Sequence, residues 1–256
     1  MSITDLNFDI DRNSQTPMWL QIRDELYNCL HQEILRPGQL IPNEKTLVEL
    51  FNVSIGTVRK AIGALENEGI LIRKQGLGTF VFEHDANSFQ FKYFHFVPRN
   101  SEETVIPNVE LVSFERKKAT KSEIEILNLP ADNRNVFHIY NKLGFRNKFY
   151  IVDKIIISVA KFLSLTEEMY VNRNNTIYNL YQNKFNIFIT DCSEKIRTVP
   201  ANGETAKILG IDIDTPLLRI DRTGYTYHNE IVEIRTSYVH TSDIDYVRPH
   251  FSALGE

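Results

Sequence analysis

From Pro17 onward, apolar residues recur at intervals of three and four: Trp19, Ile22, Leu26, Cys29, Leu30 and Ile34 in PMWLQIRDELYNCLHQEILRPG. That is the period of an amphipathic helix, and Pro37-Gly38 supplies its stop. A second, shorter helix is predicted in LIPNEKTLVELF, with Asn43 as its cap behind Pro42 and Leu47, Leu50 and Phe51 as its stripe. A third begins at Ser54, whose hydroxyl can accept a hydrogen bond from a free backbone N–H at the helix start. It buries Val58, Ala61, Ile62 and Leu65 and stops at Gly69. With that face committed to the core, Thr57, Arg59 and Lys60 in the first turns fall on faces open to a partner, and Gly56 keeps the surface there low. Two short β-rich runs follow in ILIRKQGLGTFVF, where Gly76 and Gly78 can take the positive φ of a tight hairpin and Arg73 and Lys74 charge its tip.

Three helices and a β-hairpin are the order of a winged helix-turn-helix, in which the third helix enters the major groove and the hairpin lies along the backbone or in the minor groove. This domain is expected over residues 1–82. The apolar pattern lapses in EHDANS, so residues 83–88 are expected as a linker and residues 89–256 as a second domain.

The second domain contains an internal repeat. ATKSEIEILNLPADNRNVFHIYNKLGFRNKFYIVDK, from Ala119, aligns without gaps on ANGETAKILGIDIDTPLLRIDRTGYTYHNEIVEIRT, from Ala201. Each copy reads as a capped helix followed by two strands, joined by a tight turn at Arg146-Asn147 or His228-Asn229. Thr120 and Glu123 fit a capping box. Paired copies predict an antiparallel sheet with helices on one side, an α+β architecture whose cleft suits a small molecule.

Composition bounds this picture. With 256 residues, 42% hydrophobic and 24% charged, the chain is long enough for two domains with sizeable cores. No apolar run is long enough to span a membrane and the N-terminal stretch is acidic and mixed, so a soluble, unexported, cytoplasmic protein is expected. Cys29 and Cys192 fit neither a disulfide framework nor a metal-ligand spacing, and the seven histidines are scattered, so no metal or cofactor is expected. The net charge of −4 argues against a generally basic nucleic-acid binder; residues 1–85 hold 8 Lys and Arg against 12 Asp and Glu. Any DNA contact must come from a local patch, and residues 50–81 supply one: Arg59, Lys60, Arg73 and Lys74 against Glu66 and Glu68.

PNEKTLVELFNVSIGTVRKAIGALENEGILIRKQGLGTFV resembles the DNA-binding domain of the GntR family of bacterial transcription regulators over about seventy residues. The resemblance implies that Ser54 and Thr57 hold phosphates, that Arg59 reaches base edges, that Lys74, Gln75 and Gly76 form the wing tip, and that Glu44 lies near the DNA backbone. Lys60 and Arg73 complete the patch, with Arg73 also readable as an ordinary surface charge. One departure stands out: Ile55 occupies a position where many members carry Arg, and it offers no hydrogen bond, so either base readout differs, as by contact with a thymine methyl, or one phosphate anchor is lost. The second half resembles the UTRA effector-binding domain of the HutC subgroup, of chorismate-lyase-like fold, through TIYNLYQNKFNI at 176–187 and the stretch 201–233.

That likeness implies effector contacts at Thr176 and Glu233, and at Tyr140 and Lys142, which align with two strand arginines of sugar-phosphate-binding relatives. Tyr in place of a bidentate Arg weakens a phosphate reading and leaves amino-acid, imidazole or sugar effectors open. The family implies a homodimer on an inverted-repeat double-stranded DNA operator, acting as a repressor under effector control, and no catalysis. The competing expectations are a winged-helix protein-interaction scaffold and a lyase-like enzyme joined to a DNA-binding module.

Overall fold

The computed structural model describes residues 3–84, 93–99, 101, 105–226 and 229–247. In chain order the helices are α1 (Met18–His31), α2 (Glu44–Phe51), α3 (Ile55–Asn67), α4 (Lys121–Ile126), α5 (Glu167–Val171), α6 (Ile177–Phe185) and α7 (Gly203–Leu209). The strands are β1 (Leu71–Lys74), β2 (Gly78–Val81), β3 (Phe96–Pro98), β4 (Asn108–Lys118), β5 (Asn135–Phe145), β6 (Lys148–Ser158), β7 (Asp191–Pro200), β8 (Pro216–Tyr225), β9 (Ile231–Val239) and β10 (Ile244–Tyr246). The chain forms two compact units, Met1–His84 with Tyr178–Asp191, and Asp85–Ile177 with Cys192–Glu256. Residues 85–88 of the expected linker and His228 of the second expected turn lie outside the described residues.

In the first unit the apolar stripes meet as their spacing requires. Ile22, Leu26, Cys29 and Leu30 of α1, Leu47 and Phe51 of α2, and Val58, Ala61, Ile62 and Leu65 of α3 are all buried. Burial pushes the Cys29 thiol up to about 11, with Glu25 adding to the shift, as suits a packing residue rather than a reactive one. Helix α1 stops short of Ile34. Glu33 takes φ 57° and the Ile34 amide turns back to the Cys29 carbonyl at 2.9 Å, a left-handed cap that ends the helix one turn before Pro37. Helix α3 ends the same way at Gly69, where φ is 69°. Strands β1 and β2 pair antiparallel, Leu71 opposite Val81 and Lys74 opposite Gly78. Gly78 sits at φ 117°, a conformation that strains any L side chain, and a Cβ there would also displace the Leu40 side chain, whose Cδ1 would lie 2.6 Å away.

Residues 178–191 belong to this unit, although their position in the chain falls inside the expected second domain. Tyr178, Tyr181 and Phe188 are fully buried. Gln182 clasps the end of the wing, donating to the Phe82 carbonyl at 2.6 Å and accepting from the His84 amide at 2.9 Å, while Asn186 donates to the Leu30 carbonyl at 2.7 Å.

The second unit is built on a six-stranded sheet of order β4-β5-β6-β9-β8-β7, with β3 and β10 forming a separate pair. The two repeat copies are two like helix-hairpin modules, α4-β5-β6 and α7-β8-β9. Thr120 and Asn202 cap their helices by accepting from the Glu123 and Thr205 amides at 3.3 and 2.9 Å, and the capping box at Thr120 is complete. Arg146 and Asn147 both take positive φ, the requirement of a two-residue hairpin turn.

Strands β6 and β9 join the modules antiparallel with Lys154 opposite Thr236, and those two residues are counterparts in the repeat alignment. A local two-fold relation of the modules therefore passes between them. The repeat helices share one face of this sheet: Leu127 and Leu129 pack on Val136 and Ile156, and Ala206 clusters with Leu217 and Tyr238. His138 on that face stands 3.1 Å from the capping-box Glu123, and burial holds its pKa below the ordinary value although Glu123 opposes the shift. The expectation of helices on one side describes the repeat alone, because the other face is covered by α5 and the segment after it, an insertion between the copies.

Candidate functional site

In the first unit, α2, α3 and the wing bring the predicted contact residues onto one surface. Ser54 caps α3 by accepting from the Thr57 amide at 3.2 Å, and its hydroxyl lies 2.9 Å from that of Thr57. The cap places both hydroxyls at the helix start, where free N–H groups favour anions. Arg59, 61% exposed, donates Nε to Glu44 Oε2 at 2.8 Å. Glu44 Oε1 is 3.5 Å from Arg73 Nη2, and Arg73 Nε reaches Glu66 Oε1 at 3.2 Å. Helix α3, α2 and the wing are thus joined by one surface network of alternating charge. An open groove of ≈ 770 Å³ runs beside it, lined by Glu44 and by Arg73, Lys74, Gln75 and Gly76 of the wing.

Lys60 and Lys74 rest on aromatic rings, 4.6 Å from the Trp19 centroid and 4.8 Å from that of Phe80. Both remain exposed at the surface. Ile55, 43% exposed in the first turn of α3, and Leu77, 67% exposed at the wing tip, set apolar groups among these charges. Leu77 escaped the sequence reading because only the glycines flanking it carry a turn signal.

The second unit encloses a cavity of ≈ 320 Å³ on the sheet face opposite α4 and α7. Val109, Leu143, Ile155, Val171 and Ile177 give it apolar walls, and Asn141, Asp153, Tyr170, Arg173, Thr176 and Arg235 supply its polar groups. Strands β5, β6 and β9 contribute alternate residues, which is why Asn141 and Leu143 face the cavity. Tyr140 and Lys142, predicted as effector contacts, stand on the other face of β5. Lys142 pairs there with Glu110 at 2.8 Å, and Lys154 lies over the Tyr140 ring at 5.6 Å. The alignment to strand arginines was one residue out of phase with the cavity, and a one-residue slip exchanges the faces of a strand.

Glu233 also does not line the cavity. It is fully buried and receives both Nε and Nη2 of Arg235, at 3.0 and 3.1 Å, a two-pronged pair. Arg235 Nη1 approaches Asp153 Oδ2 at 3.5 Å. Burial pushes the Asp153 carboxyl above its usual range, against the opposing effects of Arg235 and Ser237. Tyr170 accepts a hydrogen bond on its hydroxyl oxygen from Asn141 Nδ2 at 2.8 Å, and burial raises its pKa too. Arg173 lies over the Tyr170 ring at 4.3 Å and donates Nη1 to the Tyr170 carbonyl at 2.5 Å. Among the described residues no group of His, Cys, Asp and Glu is placed to hold a metal, and no helix is long and apolar enough to cross a membrane.

Comparison with known proteins decides the family. The description of the bacterial regulatory proteins of the gntR family matches residues 19–81, and that of the UTRA domain matches residues 103–245. The chain belongs to the gntR family of regulators and carries a UTRA domain. It is a DNA-binding transcription regulator.

The gntR-family chain is 28% identical over 224 residues to the probable fructoselysine utilization operon transcriptional repressor of Escherichia coli K12, covering 88% of this chain and 90% of that protein. It is 25% identical to the HTH-type transcriptional repressor NagR of Bacillus subtilis, over 88% of this chain and 91% of the relative. Its second unit has the fold of the ligand-binding domain of a GntR-family transcriptional regulator from Bordetella bronchiseptica, with TM-score 0.57 and 25% identity over 61% of this chain and 96% of that one.

Of the predicted effector contacts of this gntR-family chain, Thr176 lines the cavity, and Asn141, Asp153, Arg173 and Arg235 line it without having been predicted. One signal was present: Asp153 and Arg235 are counterparts in the repeat, two opposite charges at matching positions of the two copies.

Proposed function

We propose that this regulator is a repressor that binds an inverted-repeat operator as a homodimer and releases or retains it according to a small molecule held in the cavity of the second unit. The observation that carries the DNA reading is the start of α3, where Ser54, Thr57 and an exposed Arg59 lie beside the cationic wing. Arg59 addresses base edges, a guanine most readily. Ser54, Thr57, Lys60, Lys74, Gln75 and Gly76 position the protein on phosphates and along the groove. Glu44 takes a role other than contact: a carboxylate facing phosphates would repel them, whereas bonded to Arg59 it orients that side chain between α3 and the wing. Arg73 is held in the same network. Ile55 and Leu77 supply apolar contacts to the groove.

Two half-sites about one helical turn, or roughly 34–36 Å, apart would match a two-fold dimer. The names of the relatives as repressors, one of them of a fructoselysine operon, support the sign of regulation, and binding rather than catalysis is the role assigned to both units in a cytoplasmic protein. Thr176 contacts the ligand directly, and Glu233 acts through Arg235. Ligand control requires different affinities for DNA-competent and incompetent arrangements.

Selection of bound duplexes from a random library at near-physiological salt tests the proposal. An enriched inverted repeat that shifts as a dimeric complex is the expected result. Absence of any enriched sequence, with the protein retained on a protein partner instead, would move the function to the scaffold reading.

A further inference from the structure

The polar groups of the cavity are unevenly matched. Arg235 is neutralised by Glu233, a buried carboxylate two residues before it on β9 and outside the lining, through two hydrogen bonds of 3.0 and 3.1 Å. Asp153, which does line the cavity, has the 3.5 Å approach of Arg235 Nη1 and the influence of the Ser237 hydroxyl, and its Oδ1 has no well-formed hydrogen bond. It is 4% exposed. A buried carboxylate so incompletely matched is unfavourable unless it takes up a proton or receives a cation.

Beside it, Asn141 is 2% exposed, gives Nδ2 to the Tyr170 hydroxyl and leaves Oδ1 without a partner. Exchanging the amide oxygen and nitrogen would present a donor there instead, and a hydroxyl group satisfies either arrangement. Elsewhere on the lining, Arg173 Nε is a buried donor without a partner. The cavity thus offers a negative acceptor at Asp153, a hydroxyl-compatible group at Asn141 and a donor at Arg173. Its ≈ 320 Å³ lies near the lower end of the about 300–1,000 Å³ typical of ligand sites, so the occupant is compact.

We propose that the effector is a compact, hydroxylated molecule bearing a protonated amine: the ammonium seats on Asp153, a hydroxyl meets Asn141, and an acceptor group faces Arg173. This deepens the reading of the cavity as the effector site and rests on it. Selectivity comes from the buried carboxylate, because a neutral hydroxyl in place of the ammonium leaves the charge of Asp153 without a counterion, whereas the apolar walls treat the two ligands alike.

The test uses the full chain and matched pairs differing at one group: D-glucosamine with D-glucose, 1-amino-1-deoxy-D-fructose with D-fructose, and L-lysine with 6-hydroxynorleucine. Binding is read by calorimetry for wild type, Asp153→Asn and Val171→Trp, the last adding bulk at a rim position that is 53% exposed and so tolerant of change. At least one amine is expected to bind roughly tenfold or more tighter than its hydroxyl partner. Asp153→Asn should bring the two members of that pair together, and Val171→Trp should abolish binding of both.

Hydroxyl members that bind as tightly as amines, with binding lost in Val171→Trp, would overturn the amine assignment and leave the effector site standing. Amine binding unaffected by Val171→Trp would place the site elsewhere and overturn both. An amine preference that survives Asp153→Asn in a protein of unchanged melting temperature would overturn the role of Asp153, and so would a panel in which no amine binds at millimolar concentration.

Discussion

Each unit of this regulator holds arginine between carboxylates, and the two networks differ in what surrounds them. In the first, Glu44 bridges Arg59 and Arg73 on an exposed surface where water screens every pair. In the second, Arg235 lies between Glu233 and Asp153 with all three side chains almost wholly buried. The exposed network is worth little as stability and is easily exchanged for contacts to DNA; it orients side chains without locking them. The buried one is unfavourable to form and worse to break, so it fixes the floor of the cavity in one arrangement. The surface proposed to meet DNA and the pocket proposed to hold a small molecule use the same residue types at opposite burial.

Breaking the buried network should give the largest effect. Arg235→Ala leaves two buried carboxylates unmatched and should destabilise the second unit by about 3–5 kcal/mol. Thermal or denaturant unfolding of the full chain would measure it, and a loss comparable to that of a surface substitution would show that the contrast between the networks is wrong. Next, Arg59→Ala should weaken operator binding by about 1–3 kcal/mol and relax preference at one base pair per half-site while leaving the melting temperature unchanged. Equal affinity of wild type and variant for the selected site would remove Arg59 from base reading.

Asp153 sharpens the comparison through pH. Its native carboxyl titrates above the unfolded value of about 3.9 because burial outweighs Arg235, Ser237 and Arg222, with Glu233 adding to the rise. A raised native pKa stabilises the fold fully below the unfolded value and loses that contribution as pH climbs through the native value. Stability of the ligand-free chain should therefore fall with rising pH across that interval, and Asp153→Asn should flatten this part of the profile. The smallest effect is expected at Glu44. Glu44→Gln should change stability by less than about 0.5 kcal/mol, raise affinity for unrelated DNA by removing a negative charge, and lower the ratio of operator to unrelated binding. A ratio that stays constant in competition shifts would show that Glu44 does not orient Arg59.

Much of the first unit was legible because its signals are local. Helical spacing in α1 to α3, the Asn43 and Ser54 caps and the wing glycines each act within a few residues of themselves. The repeat was legible for the same reason, since each copy carries its own cap and turn. The cavity was read less well. Tyr140 and Lys142 were chosen one position away from Asn141, and in a strand one position decides which face a side chain takes. Residues 178–191 gave no sign in their composition that they pack with α1 and the wing, because Gln182 and Asn186 are ordinary polar residues until their backbone partners are beside them.

By itself, then, the amino-acid order determined the winged helix, its cap hydroxyls and cationic wing, and two like helix-hairpin modules, all consequences of periodicity, capping and turn chemistry between near neighbours. Only the tertiary structure decided that Glu44 would hold Arg59, that Glu233 would neutralise Arg235 beside the cavity, and that Asp153 would line it. Those outcomes depend on strand register and on which face an inserted segment covers. Both are settled by contacts between residues distant in the chain, which leave no local pattern to read.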